Sequence, residues 1–530
     1  MQRSSRLALA GVLVLLAGAA PGGAQSVGPV RIEGGRVEGT DLGDGVHAFL
    51  GIPFAAPPVG ELRWRAPAPV VPWTGVRSAV AFGPRCMQLP IFSDMVFRSS
   101  GMGEDCLYLN VWTPGDAAGR TLPVLVYFYG GGNVAGDGSE LRYDGASLAR
   151  RGLVVLTVNY RLGVFGFLAH PELTRESPHH AAGDYGLLDQ AAALDWVRRN
   201  IAAFGGDPRR VTIGGESAGS IAVSALMASP LSRGLIAGAI GESGAMIRPT
   251  MAPVPLAEAE QAGVRFAGTV GATSLAQLRA LPADSLLAAT GRPGNGRFPI
   301  AIDGWFLPRA PAAIFAAGAQ AHVPLLVGWN SEEAGWRALL ANQEPTPENY
   351  AAVVRRLFGA DADEALRLFP GATPAQVRES ATRLAGARFI AYGTWKWAEL
   401  QRRTGGRPVY RYLFAQPRPA TVAPSPSPPP GGAVHSAEIE YALGNLATNQ
   451  VYAWTPADLA LSQVMQGYWS DFVKTGAPDG AGLPRWPAMG RGEAVQVMIL
   501  ERQPHAASAD DQAQMRFLDR VYAAPTVSER

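Results

Sequence analysis

Residues 211–223, VTIGGESAGSIAV, place Ser217 between Gly215 and Gly219. In a hydrolase this G-x-S-x-G spacing marks a sharp strand-to-helix turn that exposes a serine hydroxyl. Such a hydroxyl attacks a carbonyl only with help: a base to take its proton, an acid to orient the base, and N–H groups to receive the charge that develops on oxygen. The chain holds 63 glycines in 530 residues, so the motif by itself carries little weight and its partners must be found.

In the strand-elbow arrangement the partners come in the order serine, acid, histidine. Downstream of Ser217 stand His322, His435 and His505. His322 precedes the strand after which the acid is expected, and His505 lies in the polar terminal stretch RQPHAASADD; His435, in GGAVHSAEIEYALG, is left as the base. The acid belongs just past a strand end, where LLVGWNSEEAG offers Glu332 and Glu333. Two glutamates there would also serve as a charge pair at a helix N-terminus. Oxyanion donors are expected in a glycine-rich loop after an earlier strand, and VLVYFYGGGN supplies Gly130, Gly131 and Gly132. Ser243, in GESGA, comes after another strand and another Gly-Glu pair, but Ala245 replaces the second glycine. No tight turn is expected at that place, and Ser243 reads as a supporting residue.

The elements that must hold these groups show as apolar, β-rich runs over residues 122–132, 153–163, 209–215, 235–240, 323–330 and 409–415. Between two of them, LLDQAAALDWVRRNIAAFGGD has apolar residues at helical spacing and ends on a glycine pair suited to a C-terminal cap. AGSIAVSALMAS, directly after Ser217, reads as a helix whose N-terminal N–H groups point at the serine. Alternating strands and helices predict an α/β fold with a mostly parallel sheet flanked by helices. The proline-rich stretch 416–432 is read as a surface loop within one domain spanning residues 25–530, rather than as a linker.

Composition narrows the function classes. Arg3 and Arg6, an apolar run and then small residues give residues 1–24 the layout of a cleavable signal peptide, so a secreted or periplasmic protein without a membrane span is expected. Of 46 Lys and Arg, Arg3 and Arg6 leave with that segment, and the remaining 44 balance 44 Asp and Glu. Such neutrality argues against nucleic acid or an anionic membrane as partner. The lysines, Lys396 and Lys474, stand outside any G-x-x-x-x-G-K-[ST] phosphate loop, and no H-E-x-x-H occurs; neither a cofactor nor a metal is expected. Cys86 and Cys106 in an exported chain read as one disulfide, which in the chain-entropy view stabilises by about 3 kcal/mol.

Seven motifs in order, FLGIPFAAPPVGELRWRAP, EDCLYLNVWTP, YGGG, VNYRLGVFGFLA, GDYGLLDQAAALDWVRRNIAAFGGDP, GESAG and VHSAEIEYALG, cover most of the chain. Together they resemble the type-B carboxylesterase family, which includes cholinesterases and bacterial para-nitrobenzyl esterases. The resemblance implies an α/β-hydrolase fold with large insertions, a small-molecule ester as substrate, and a Ser-Glu-His triad of Ser217, Glu333 and His435. It assigns the oxyanion N–H groups to Gly131, Gly132 and Ala218, and makes Cys86 and Cys106 the ends of a disulfide loop bordering the active-site mouth. Ala334 stands where the family has glycine, which keeps Glu332 as the alternative acid. Val96 occupies the place of the tryptophan with which cholinesterases bind quaternary ammonium, so choline selectivity is not expected. Asn133 replaces an aromatic residue beside the oxyanion loop, where it opens or polarises the acyl side. A histidine base further predicts a rate that rises with pH near 6 to 7. Two rivals remain: a lipase or polyester hydrolase acting at interfaces, which needs an exposed apolar mouth, and a non-catalytic binding member of the fold.

Overall fold

The structure, a computed structural model, describes residues 26–424, 431–490, 492 and 494–523. The expected signal peptide lies outside the described residues, as do residues 425–430 of the proline-rich stretch.

Thirteen strands form one sheet among the described residues. In chain order they are β1 (Ser26–Ile32), β2 (Gly35–Asp41), β3 (Val46–Pro53), β4 (Val76–Ser78), β5 (Tyr108–Pro114), β6 (Leu122–Phe128), β7 (Val154–Val158), β8 (Gly206–Glu216), β9 (Gly238–Glu242), β10 (Leu325–Asn330), β11 (Val409–Phe414), β12 (Gln496–Leu500) and β13 (His505–Ser508). Their spatial order is β1-β2-β3-β5-β7-β6-β8-β9-β10-β11-β12-β13, with β4 beside β2. From β7 to β12 every pairing is parallel. The flanking pairs β1–β2, β2–β3, β3–β5, β5–β7 and β12–β13 are antiparallel.

All six runs read as strands are strands of the parallel centre. Strands β6, β7, β9 and β10 are buried along their whole length, as expected where helices cover both faces. The antiparallel edge escapes a reading by apolar runs because its strands are part-exposed and irregular, β1 for example carrying a register shift between Val27 and Val30.

Helix α1 (Tyr185–Asn200) continues into a short 3-10 turn and stops at Gly205, whose φ of 81° is the left-handed cap the glycine pair suggests. Helix α2 (Ala218–Ala228) is buried from end to end behind the Ser217 turn. Between β10 and β11 the chain inserts helices, among them α3 (Pro374–Gly386), a π-helical stretch Ala387–Ala391 and α4 (Tyr392–Thr404). These gather a second hydrophobic cluster around Trp329, Tyr350, Val354 and Leu384.

Buried ion pairs explain why several of the motifs are spelled as they are. Arg161 of VNYRLG donates to both carboxylate oxygens of Asp189 of LLDQ, at 2.7 and 2.8 Å. Arg63 of ELRWRAP does the same to Glu104 of EDC, at 2.5 and 2.6 Å. Truncating one member of such a pair leaves a buried charge alone, at a cost of about 3–5 kcal/mol. In the proline-rich stretch, Arg418 pairs with Glu440 at 2.7 Å and Gln416 donates to Asp458, so its first part is bound to the body as a loop. Among the described residues no helix is long and apolar enough to cross a membrane.

Candidate active site

Ser217 sits between the end of β8 and the start of α2, with φ 53° and ψ −118°. A non-glycine residue in that region is strained by about 1–3 kcal/mol, and the strain persists only where the surroundings enforce it. Here a Cβ on Gly219 would lie 2.0 Å from Phe128 O, and one on Gly215 would lie 2.6 Å from the carbonyl carbon of Gly219. Both glycines are therefore required by contact, as the motif implies. His435 Nε2 lies 2.9 Å from the Ser217 hydroxyl.

The loop carrying His435 is fastened to the end of β10. Glu332 N donates to Ala433 O at 2.8 Å, Ala433 N to Ser331 Oγ at 2.9 Å, and Asn330 Nδ2 to Val434 O at 2.7 Å. That seam brings Glu333 beneath the imidazole, its Oε2 2.6 Å from His435 Nδ1. Glu332 takes part through its backbone, whereas the buried carboxylate is that of Glu333. The other oxygen of Glu333 accepts from Asn330 N at 2.6 Å and from Ser243 Oγ at 2.5 Å. Ser243 thus helps to fix the Glu333 carboxylate. It does so from a tight turn with φ 55°, contrary to the expectation that the missing glycine would forbid one. No helix begins after Ser243, so Ala245 does not occupy the helix-start position that Gly219 holds.

On the other side of Ser217, Gly131 has φ 105°, and a Cβ there would fall 2.1 Å from Ala135 O. The N–H groups of Gly131 and Gly132 have no acceptor among the described residues. The Ala218 N–H opens α2, where the first four donors of a helix lack intrahelical partners. Three unspent donors thus border the serine, an arrangement able to hold an oxyanion.

Sequence reasoning passes over Glu216, although it is the middle letter of G-x-S. Its Oε1 lies 3.2 Å from His435 Nε2 and accepts from Ser436 Oγ at 2.7 Å. Burial acts downward on His435, but the negative charges of Glu216 and Glu333 act upward and prevail, pushing it up to about 10. Burial likewise raises Glu216, drives Glu438 well above the carboxylate range, and takes Glu242 to about 8. The carboxylates beside the imidazole favour its charged form, so the rise of rate is expected at higher pH than the 6 to 7 of a solvated histidine. Phe389, from the π-helical stretch, presents an edge contact to the His435 ring at 5.1 Å, which no sequence pattern announces.

Two cavities open beside the groups around the serine, one at the glycine loop and one at His435. One, of about 300 Å³, runs from Gly132 and Asn133 to Phe298 and Arg297. The other, of about 280 Å³, reaches from His435 to Val96, Asp94 and Arg142. Val96 and Asp94 belong to the loop closed by a disulfide between Cys86 and Cys106, so this loop does border the site.

A family model described as the carboxylesterase family matches residues 26–518. Among curated relatives, the fumonisin B1 esterase of Sphingopyxis macrogoltabida is 38% identical over 515 residues, covering 91% of this chain and 89% of that protein. The para-nitrobenzyl esterase of Bacillus subtilis (strain 168) is 35% identical over 489 residues, covering 89% of this chain and 95% of its own length. A solved PNB esterase superimposes with a TM-score of 0.75 at 33% identity, covering 92% of this chain and 99% of that one.

Proposed function

Because this chain belongs to the carboxylesterase family and is a carboxylic ester hydrolase, we propose that it works through an acyl-enzyme on Ser217, with His435 as base and Glu333 as the acid that orients it. The observation that carries this reading is the unbroken line from Ser217 Oγ to His435 Nε2, 2.9 Å, and from His435 Nδ1 to Glu333 Oε2, 2.6 Å. The serine hydroxyl loses its proton to His435 and attacks the ester carbonyl. The carbonyl oxygen becomes an oxyanion held by the N–H groups of Gly131, Gly132 and Ala218, and the imidazolium returns the proton to the departing alcohol. Water, deprotonated by the same histidine, then frees the acid. Glu333 holds the Nδ1 proton in place and offsets the charge that forms on the ring.

In this reading the chain is exported after loss of residues 1–24, and residues 25–530 act as one domain. Val96 offers no aromatic face to an ammonium group, which supports a preference for esters other than those of choline. The test is hydrolysis of para-nitrophenyl acetate, butyrate and octanoate by the purified protein beside Ser217→Ala, with a fluorophosphonate probe. Turnover and labelling by the unaltered chain, both lost in the variant, support the mechanism. Turnover retained by the variant overturns it.

An interface-acting enzyme is a second reading, favoured by one observation: Ile91, Phe92 and Val96 of the disulfide loop are each about half exposed. An exposed apolar patch of this kind marks an interaction surface. A jump in rate as tributyrin passes from solution to emulsion supports this reading, and a smooth saturation curve removes it.

A further inference from the structure

The cavity beside Gly132 differs from its neighbour in charge. Its wall is apolar where Phe167, Met251, Phe298 and Ile300 line it, and no acid is among its lining residues. Two polar side chains interrupt that wall. Arg297 is exposed at the cavity and, among the described residues, has no ion pair or hydrogen bond. Asn133 is 5% exposed, and its Oδ1 is buried without a partner. A buried amide oxygen left unmatched is unusual, because such groups are normally satisfied within the fold. Amide oxygen and nitrogen exchange places by a flip of the side chain, so Asn133 can present either a donor or an acceptor to whatever enters. The cavity near His435 is arranged otherwise. There Arg142 pairs with Asp94 and Glu140, and Arg418 pairs with Glu440, so its cations are already neutralised.

We propose that the cavity beside Gly132 and Asn133 receives acyl groups that end in a carboxylate, which makes half-esters of dicarboxylic acids the favoured substrate class. The inference rests on the proposed catalytic reading, in which His435 returns its proton to the departing alcohol: the alcohol then lies on the side of the cavity lined by His435, and the cavity beside Gly132 is left for the acyl chain. The methylene stem of the acyl chain lies against Phe167 and Phe298. Its terminal carboxylate meets the Arg297 guanidinium, whose planar fork suits two carboxylate oxygens. Asn133 supplies the remaining polar contact close to the oxyanion loop, where an aromatic side chain would exclude it.

The test compares 4-nitrophenyl hexanoate with mono-4-nitrophenyl adipate, which share leaving group and chain length and differ in a terminal methyl against a terminal carboxylate. In the unaltered protein kcat/KM for the adipate at least equals that for the hexanoate. Arg297→Gln lowers the adipate-to-hexanoate ratio about tenfold, the size expected for losing one hydrogen-bonded charge contact. Arg297→Lys, which keeps the charge but loses the fork, lowers the ratio less than Arg297→Gln does. Added salt lowers the ratio in the unaltered protein more than in Arg297→Gln, because an exposed ion pair is screened. A ratio that Arg297→Gln leaves unchanged, or a more than tenfold preference for the hexanoate in the unaltered protein, overturns the inference while ester hydrolysis at Ser217 stands. Absence of turnover on both esters together with failure of a fluorophosphonate to label Ser217 removes the catalytic reading, and this inference with it.

Discussion

Two turns in this chain are spelled almost alike, Gly215-Glu216-Ser217-Ala218-Gly219 and Gly241-Glu242-Ser243-Gly244-Ala245, and they end neighbouring parallel strands in matched register, Gly215 beside Gly241 and Glu216 beside Glu242. Both serines have a strained positive φ, 53° and 55°. Yet one hydroxyl faces an imidazole while the other donates to a carboxylate. The difference lies in the segment each turn leads into and in the side chain opposite each hydroxyl. Ser217 leads into helix α2, with its N–H groups free at the start, and is met by the His435 loop; Ser243 leads into irregular chain and is met by the acid. A strained serine after a strand therefore marks a buttressed position, and the neighbours decide whether it serves as nucleophile or as support.

The largest effect that separates the two turns is expected from alanine at each serine. Ser217→Ala lowers kcat/KM by a factor of about 10⁴–10⁶, as removal of a triad nucleophile does, and abolishes fluorophosphonate labelling. Ser243→Ala keeps the label on Ser217. Equal loss from both variants, or labelling at Ser243, breaks the comparison.

Next come the acids. Glu333→Gln keeps the shape but removes the charge beneath His435 Nδ1, and kcat falls by about 10³–10⁴; Glu332→Gln, whose backbone carries its contact to the histidine loop, stays within about fivefold. The reverse ranking, measured by steady-state kinetics, assigns the role to Glu332 instead.

Backbone contact gives a third contrast. Gly219→Ala puts a methyl 2.0 Å from Phe128 O, so either the strand or the turn must shift, with a loss of about 2–4 kcal/mol in denaturant unfolding. Ala245→Gly, at the equivalent place in the other turn, costs only about 0.5–1 kcal/mol. Similar losses at both positions show that helix α2 does not press on the first turn.

The pH profile probes the charges around the two turns. A base must be unprotonated to act, so kcat/KM rises with pH as His435 loses its proton. Since its surroundings push His435 up to about 10, the rise lies above pH 7. Glu216→Gln removes the first of the charges that raise His435, and so it moves the limb toward lower pH. Glu242 touches no imidazole; its carboxylate accepts from Trp469 Nε1 at 3.1 Å, and Glu242→Gln leaves the limb nearer its original place.

These contrasts also separate the parts of the molecule that its sequence makes legible from those it hides. The parallel centre is legible, because burial on both faces writes continuous apolar runs such as LPVLVYF. The serine, histidine and glycine loop are legible through chain order and motif. The hidden parts depend on contacts between distant segments. Glu216 and Phe389 reach His435 only through folding, one from the last residue of β8, directly before Ser217, and the other from within a π-helical stretch. The turn at Ser243 is hidden because the glycine requirement comes from the helix after a turn, and Ser243 has no such helix. The edge strands alternate too weakly to announce themselves.

The mildest effect expected of a residue that contacts Glu333 concerns Ser243 itself, and it is the one that defines support as opposed to catalysis. Glu333 Oε1 accepts two hydrogen bonds, from Asn330 N and Ser243 Oγ, while Oε2 faces His435. Ser243→Ala removes one of the two restraints on the carboxylate and leaves the other. A hydrogen bond to a charged group contributes about 1.5–3 kcal/mol, of which the remaining Asn330 contact retains the position in part, so kcat falls by about tenfold rather than thousandfold. KM for para-nitrophenyl esters stays within about twofold, because Ser243 lies behind the acid and away from both cavities. Ser243→Thr keeps the hydroxyl and restores most of kcat if the methyl is accommodated. A loss shared between kcat and KM, or a loss as deep as that of Ser217→Ala, places Ser243 at the substrate and removes the distinction between the two turns.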